Sequence, residues 1–488
     1  MTEHGLINIE PVEVFRYFEE ISKIPRGSGN EKAISDYLVA FAKSNSLDVT
    51  QDKMMNVVIK KPGTAGYEKS ASVVLQGHMD MVCEKEPDVS HDFLKSSISL
   101  QVQGDMLYAT GTTLGADNGI AVAMGMAVLA SDNIPHPPIE LLVTTSEETG
   151  MDGAHALDPT IISGRTLINI DSEEEGILTV SCAGGCTGRI DIPVSWETPD
   201  SALTAFTLAV EGLKGGHSGI DINAGRANAN KLLARLLENL DARMKIAVYA
   251  IEGGSKHNAI ARNARAVLGV KKQDESLLRE CTKSLEKVFR DEYKKADPDI
   301  CVHVGTTESV PQKAMSKDSA DNVIRRFLYL IPNGVQSMSM DIDGLVESSL
   351  NLGVVQTKEQ SVEIISTFRS SVASIKENLF NTVKTIADIS NGTVTREGEY
   401  PEWRYSPNSP IRDTLIAQYK KLFGEEPKIS AVHAGLECAI FENKFDGEMD
   451  MISIGPTMIG VHTPQEHLSI PSTQRTWLYL KEVLKALR

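Results

Sequence analysis

The run Ser72-Val73-Val74-Leu75-Gln76-Gly77 is apolar enough to be buried on both faces, and it stops at His78-Met79-Asp80. A strand covered on both sides demands flanking helices, the layout of mainly parallel or mixed α/β sheets. Side chains two apart on an extended chain share a face, so His78 and Asp80 are presented together where the strand ends. Open α/β sheets place their chemistry at that edge. Three more apolar segments meet acids in the same way: Asp117 precedes the stretch 119–130, Glu147 and Glu148 follow 139–146, and Asp171 closes 166–170. Far downstream lies a lone His462, in Gly460-Val461-His462-Thr463-Pro464. Two imidazoles with several carboxylates form a ligand set for hard or borderline divalent metal.

A chain of 488 residues is too long for one ordinary core, so two or three domains are expected. Its formal net charge of -17 argues against nucleic acid as a partner, because a phosphate binder needs a basic face. The N-terminal residues show no basic segment followed by an apolar one, which predicts no signal peptide and a cytoplasmic protein. The most apolar stretch, 119–130, is too short to span a bilayer, so no membrane partner is expected. Its Ala, Gly and Met content suits a helix packed closely on a sheet. Cys83, Cys182, Cys186, Cys281, Cys301 and Cys438 are scattered and read as thiols in a reducing compartment.

Periodicity predicts helices over 10–24 and 30–45, with Asn30 as the N-cap of the second. Strands at 54–60, 72–77, 139–145 and 166–171 alternate with a helix at 117–131. Beyond about 185 the pattern becomes α+β: an alternating strand at 204–211, a helix bearing Leu232, Leu233, Leu236 and Leu237, and an apolar run at 246–252. Charged helices follow at 272–296 and 317–331, then three antiparallel strands within 336–369 and a helix at 371–389. The segment Tyr400-Pro401-Glu402-Trp403-Arg404 reads as a linker. After it, helix 410–423 and strands 428–433 and 450–454 return to the first pattern, and His462 lies there. The expected organisation is an α/β mixed-sheet catalytic domain in two parts, 1–186 and 400–488, with an inserted α+β lid domain at 187–399.

Each candidate carries a plainer alternative. His78 alone reads as a buried histidine, but Asp80 in register favours a ligand whose tautomer the aspartate fixes. Asp117, in Gly115-Ala116-Asp117-Asn118-Gly119, reads as a helix N-cap, as a ligand, or as both. Adjacent glutamates are usually solvated; at a strand end Glu147 and Glu148 can diverge, one to a metal and one to a water as general base. In Asp171-Ser172-Glu173-Glu174-Glu175 the acidic run reads as solvated and Asp171 as the ligand.

In this order the motifs resemble the M20 family of co-catalytic zinc peptidases, and Gly215-Gly216-His217-Ser218-Gly219 extends the likeness into the insertion. Val432-His433-Ala434-Gly435-Leu436-Glu437-Cys438 and His462-Thr463-Pro464-Gln465-Glu466 resemble its bacterial cytosolic dipeptidase branch. The resemblance implies two divalent ions, zinc or else manganese or cobalt. His78 and Asp171 would hold one, Glu148 and His462 the other, and Asp117 would bridge them. Asp80 would orient His78 and Glu147 would be general base and acid. His217 would reach the substrate's oxyanion, within one subunit or across a homodimer, and Asn258 and Arg369 would meet the substrate carboxylate. Arg369 reads equally as a surface ion pair. Glu437 reads either as a contact for a free substrate ammonium or as a support of the sheet. The implied activity is hydrolysis of unblocked dipeptides, including Xaa-His. The rivals are an N-acyl amino acid deacylase and a catalytically silent metal-binding module.

Overall fold

The structure, a computed structural model, describes Leu6, residues 9–307 and residues 310–488. The chain divides into two compact units. One comprises residues 1–181, 405–431 and 436–488; the other comprises 182–404 and 432–435. The first is built on a mixed eight-stranded sheet and the second is an inserted α+β unit. Among the described residues no helix is long and apolar enough to cross a membrane and no disulfide forms.

In the first unit, Ile139–Thr144, Val73–His78, Thr166–Asn169 and Asp450–Ser453 lie side by side as parallel strands. Val57–Lys61 extends the sheet antiparallel beyond Ile139–Thr144, and Ile177–Cys182 meets Asp450–Ser453 antiparallel. Both Val73–His78 and Ile139–Thr144 are buried at every position, as their mainly apolar sequences favour, with Gln76, His78 and Glu140 buried among the apolar residues. Parallel pairing brings the strand ends carrying His78, Thr144 and Asn169 to one edge. A separate four-stranded sheet joins Met458–Ile459 and His467–Ser469 to Met106–Ala109 and Leu100–Gln103. The hairpin between its first two strands, residues 460–466, carries His462.

The helix Ala116–Ala130 is buried nearly all round. Its small residues let it seat closely. A Cβ on Gly77 would lie 2.6 Å from that of Ala121, and one on Gly125 would lie 2.9 Å from Leu141 Cδ2. Helix Lys32–Ser44 begins later than expected and Asn30 does not cap it, because the Asn30 amide closes a turn onto the Gly27 carbonyl at 2.8 Å.

The inserted unit is a nine-stranded antiparallel sheet running from Cys301–Thr306 at one edge to Thr393–Tyr400 at the other. Helices Ala229–Asp241, Glu275–Glu292 and Ala373–Ile389 pack against its strands. The first buries Leu232, Leu233, Leu236, Leu237 and Leu240 and is capped by Asn228, whose side chain accepts from the amides of Asn230 and Lys231. Two expectations change here. The helix expected over 317–331 is α only at Lys317–Asp321 and continues as a π-helix over Asn322–Leu328. The expected linker is pinned instead: the amide and carbonyl of Trp403 pair with those of Cys182 at 3.0 and 3.1 Å, and Trp403 is buried.

The tight seat at Gly125 gives a stability test. Gly125→Val should destabilise the protein by about 1–3 kcal/mol through overpacking, and adding Leu141→Ala should recover part of the loss in urea unfolding. A Gly125→Val variant as stable as the parent would show that the helix is not seated this closely.

Candidate metal and catalytic centre

Five side chains from five segments of the first unit converge. His78 ends its strand, Asp117 lies in the first turn of Ala116–Ala130, and Glu148 is in the short helix Glu147–Gly150. Asp171 follows Thr166–Asn169 by two residues, and His462 is in the 460–466 hairpin loop. The Asp117 carboxylate is central. Its Oδ1 is 3.2 Å from His78 Nε2 and its Oδ2 is 3.1 Å from His462 Nε2. His78 Nε2 also lies 3.5 Å from Asp171 Oδ1, and His462 Nε2 lies 3.0 Å from Glu148 Oε2. The ligand atoms therefore form two groups that share Asp117: His78, Asp117 and Asp171, and Asp117, Glu148 and His462, each within 4.8 Å. Glu147 falls within the same span of His78 and Glu148. Asp117 spends its side chain on the imidazoles and caps no helix, so of its two readings the N-cap is set aside.

Packing so many ionisable groups together shifts their titration. Burial opposes charge on His78, yet the carboxylates of Asp171, Asp117 and Asp80 lift its pKa well above the ordinary value. Hydrogen bonds to Asp117 and Glu148 push His462 up to about 11. Asp117 is held below the usual range, against burial, by its two imidazoles. Burial pushes Asp171 up to about 6, partly offset by His78. Glu147 is raised well above a normal glutamate by burial, and by Asp171, Glu437 and Glu148 against the opposing pull of His78.

Asp80 is fully buried and does more than face an imidazole. Oδ1 lies 3.3 Å from His78 Nδ1 and accepts the Glu147 amide at 3.1 Å. Oδ2 accepts the Ser28 hydroxyl at 2.8 Å and the Glu148 amide at 3.3 Å. Ser28 was missed in the sequence, as was Glu31, whose Oε1 receives the amide and hydroxyl of Ser146. Ser146 sits at φ 54° and His462 at φ 62°, left-handed values that non-glycine residues hold only where surroundings over-determine them. No local signal marks such braces; only the Gly-rich turn at 27–29 hints that chain passes close by. Glu173 and Glu174 are exposed.

Glu437, in the first unit, is fully buried. Its Oε2 accepts from Gln76 Nε2 at 2.6 Å and Thr144 Oγ1 at 2.8 Å, while Oε1 is buried without a hydrogen-bond partner. Burial pushes its pKa up to about 8. The remaining candidates lie in the inserted unit. Gly216–His217 pairs with Ala259–Ile260, and the Ser218 amide donates to the Asn258 carbonyl at 2.9 Å. His217 Nδ1 accepts the amides of Gly219 and Ile220 at 3.2 and 3.1 Å, which leaves the proton on Nε2. Arg369 is buried, not a surface ion pair. Its Nη1 donates to Tyr400 Oη at 2.5 Å and its Nε is buried without a partner. Burial, aided by the Arg369 charge, lowers the pKa of His217 and His257 and takes His433 down to about 3.

The residues of the shared cluster fit a pair of divalent cations. Glu148 Oε1 and Asp171 Oδ1 are buried and accept no hydrogen bond from described residues, and such an oxygen is costly to bury unless a cation or donor meets it. Both atoms belong to the two groups built around Asp117. Carboxylate and imidazole donors in this proportion suit zinc, manganese or cobalt.

Comparison with known proteins agrees with the geometry. A profile of Peptidase family M20/M25/M40 matches residues 74–486. The cytosol non-specific dipeptidase of Escherichia coli is 37% identical over 482 residues, which cover 99% of each chain. The crystal structure of aminoacylhistidine dipeptidase from Vibrio alginolyticus superposes with a TM-score of 0.93 at 35% identity, covering 99% of this chain and 98% of that one. Aminopeptidase PepT from Bacillus cereus shares the fold alone, with a TM-score of 0.56 at 14% identity over 98% of this chain and 99% of that one. By a match that runs through every segment contributing to the cluster, this chain belongs to peptidase family M20/M25/M40.

Proposed function

We propose that the protein hydrolyses the peptide bond of unblocked dipeptides, with a breadth that includes Xaa-His substrates of the carnosine type. The observation that carries the reading is the buried carboxyl of Glu147 beside two ligand groups that share Asp117. The activities named for the Escherichia coli and Vibrio alginolyticus relatives support it.

In this reading His78 and Asp171 would hold one cation, Glu148 and His462 the other, and Asp117 would be shared by both. Two such cations would polarise the scissile carbonyl and acidify water at neutral pH. Glu147 takes a proton from the attacking water and returns it to the leaving amine. A carboxyl lifted by burial suits this double duty, because neither protonation state is remote from the other. Asp80 keeps the His78 ring in one orientation and, through the Glu147 amide, fixes the base relative to that ring. His217, neutral and protonated on Nε2, is the donor for the developing oxyanion. Arg369, with Nε unpaired, and Asn258 receive the substrate carboxylate. The inserted unit thus acts as the substrate-clamping lid. The burial of Glu437 beneath Gln76 and Thr144 favours its role as a support of the sheet. Zinc as the resident metal, a homodimer and a cytosolic location complete the reading.

Glu147→Gln should lower turnover by about 10²–10⁴-fold, the usual worth of general acid–base catalysis, with metal content by elemental analysis unchanged. Full activity in that variant would refute the role. A second test strips the protein with chelator and restores Zn²⁺, Mn²⁺ or Co²⁺ in turn. Free dipeptides, Xaa-His among them, should be cleaved and N-acetylated amino acids left intact. The reverse preference would make the protein an N-acyl amino acid deacylase. Inertness toward all dipeptides after reconstitution would make it a silent metal-binding module.

A further inference from the structure

Glu466 has no part in the chemistry above, yet it is 2% exposed and sits four residues after His462. Its carboxylate accepts four consecutive amides from the segment that carries Asp117. Oε2 receives the N–H groups of Leu114 and Gly115 at 2.8 and 3.0 Å. Oε1 receives those of Ala116 and Asp117 at 2.8 and 3.3 Å. Successive amides turned onto one anion form a concave backbone nest, and Gly115, at φ 70°, provides its left-handed step. The same segment is gripped from its other side. Buried Arg26 donates from Nη2 to the Gly115 carbonyl at 2.5 Å and from Nη1 to the carbonyls of Met79 and Asp80 at 3.0 and 3.1 Å. A Cβ at position 115 would lie 2.6 Å from Arg26 Nη2, so glycine is needed there for space as well as for φ.

We infer that Glu466 is a positioning residue that ties the His462 loop to the Asp117 segment, so that these two ligands approach one cation as a single rigid body. The inference rests on the dinuclear reading proposed above. His462 needs such an anchor: its side chain is half exposed, and the local bonds of its hairpin, the Thr463 amide to the Gly460 carbonyl at 3.2 Å and the Glu466 amide to the Thr463 carbonyl at 3.0 Å, close the loop on itself without tying it to the Asp117 segment. By contrast His78 and Asp171 adjoin adjacent parallel strands, and Arg26 holds the chain just past His78. Loss of the clamp should therefore weaken the site of Asp117, Glu148 and His462 more than the site of His78, Asp117 and Asp171.

Glu466→Gln keeps volume and one accepting oxygen but turns an NH₂ group onto two backbone N–H donors. The test is an equilibrium titration of chelator-stripped protein with Zn²⁺ or Co²⁺, with bound metal counted by elemental analysis. Parent protein that fails to bind two ions per chain would sink the dinuclear reading itself. With two ions in the parent, Glu466→Gln should retain one at parental affinity and hold the second about 10–100-fold more weakly, the usual range for a residue behind a metal ligand. Turnover should recover as free metal is raised. Two ions at parental affinity, or a loss of turnover that added metal does not relieve, would overturn the inference. Glu140→Gln is the control. That buried carboxylate accepts the amides of Ser163 and Gly164, so its loss should lower the melting temperature and leave both metal affinities alone. Should Glu466→Gln not fold, Glu466→Asp, with the charge kept and the reach shortened, is judged by the same two criteria.

Discussion

The centre is assembled around the carboxylate of Asp80. A fully buried carboxylate is tolerable only when its oxygens are supplied with donors, and those donors are the Ser28 hydroxyl and the amides of Glu147 and Glu148, with the His78 ring facing Oδ1 at 3.3 Å. Burial works against its charge, and these partners still hold it below the usual carboxylate range. Satisfying one buried anion therefore places the backbone of the proposed general base, Glu147, beside the His78 ring and fixes the start of the short helix Glu147–Gly150. Displacing the turn that carries Glu147 and Glu148 would remove one donor from each oxygen of Asp80 in a buried place.

The proposed metal ligands show the opposite pattern. Glu148 Oε1 and Asp171 Oδ1 are buried without donors, whereas the supporting carboxylates of Asp80 and Glu466 are surrounded by them. The contrast separates roles that residue type alone does not. Acids that the protein saturates with N–H and O–H groups act as structural anions. Of the acids left short of a donor, Glu148 and Asp171 lie in the groups around Asp117 and suit the cations proposed there, whereas Glu437, with Oε1 also unpartnered, lies outside those groups and has its other oxygen tied to Gln76 and Thr144. Glu147 falls between these classes, with its amide anchored and its carboxyl raised by burial, as a group that must exchange a proton requires.

Much of this was legible in the sequence because the strands are buried on both faces. Mainly apolar runs at 73–77 and 139–144 announce central parallel strands, and the polar residues that end them lie at one edge by the topology of such sheets. The braces were not legible. Ser28, Arg26, Glu31 and Glu466 act through contacts with backbone or side chains distant in sequence, and such contacts leave no periodic trace. Asn30 and the 400–404 segment misled for the same reason. A turn onto Gly27 and a backbone pair with Cys182 override what local composition favours. Arg369 read almost equally as a surface ion pair and as a binding group, and its burial removes the first of these readings.

The inserted unit shows how one buried cation tunes its neighbours without touching them. The charge of Arg369 adds to burial in lowering the pKa of His217, His257 and His433, so that neutral imidazoles gather round a guanidinium. Neutrality matters for His217. With Nδ1 accepting two amides, the remaining proton is confined to Nε2, and the ring is a directed donor with no charge of its own. Such a donor gains strength as negative charge grows on an acceptor, without binding a resting anion as tightly as an imidazolium would. Preference for a developing charge over a standing one is the condition for stabilising a transition state more than a ground state. In the role proposed for it, Arg369 would meet the complementary need, since a fixed guanidinium suits a carboxylate that is anionic throughout. In the proposed roles, two kinds of donor in the inserted unit would thus divide one recognition task by the timing of the charge each one meets.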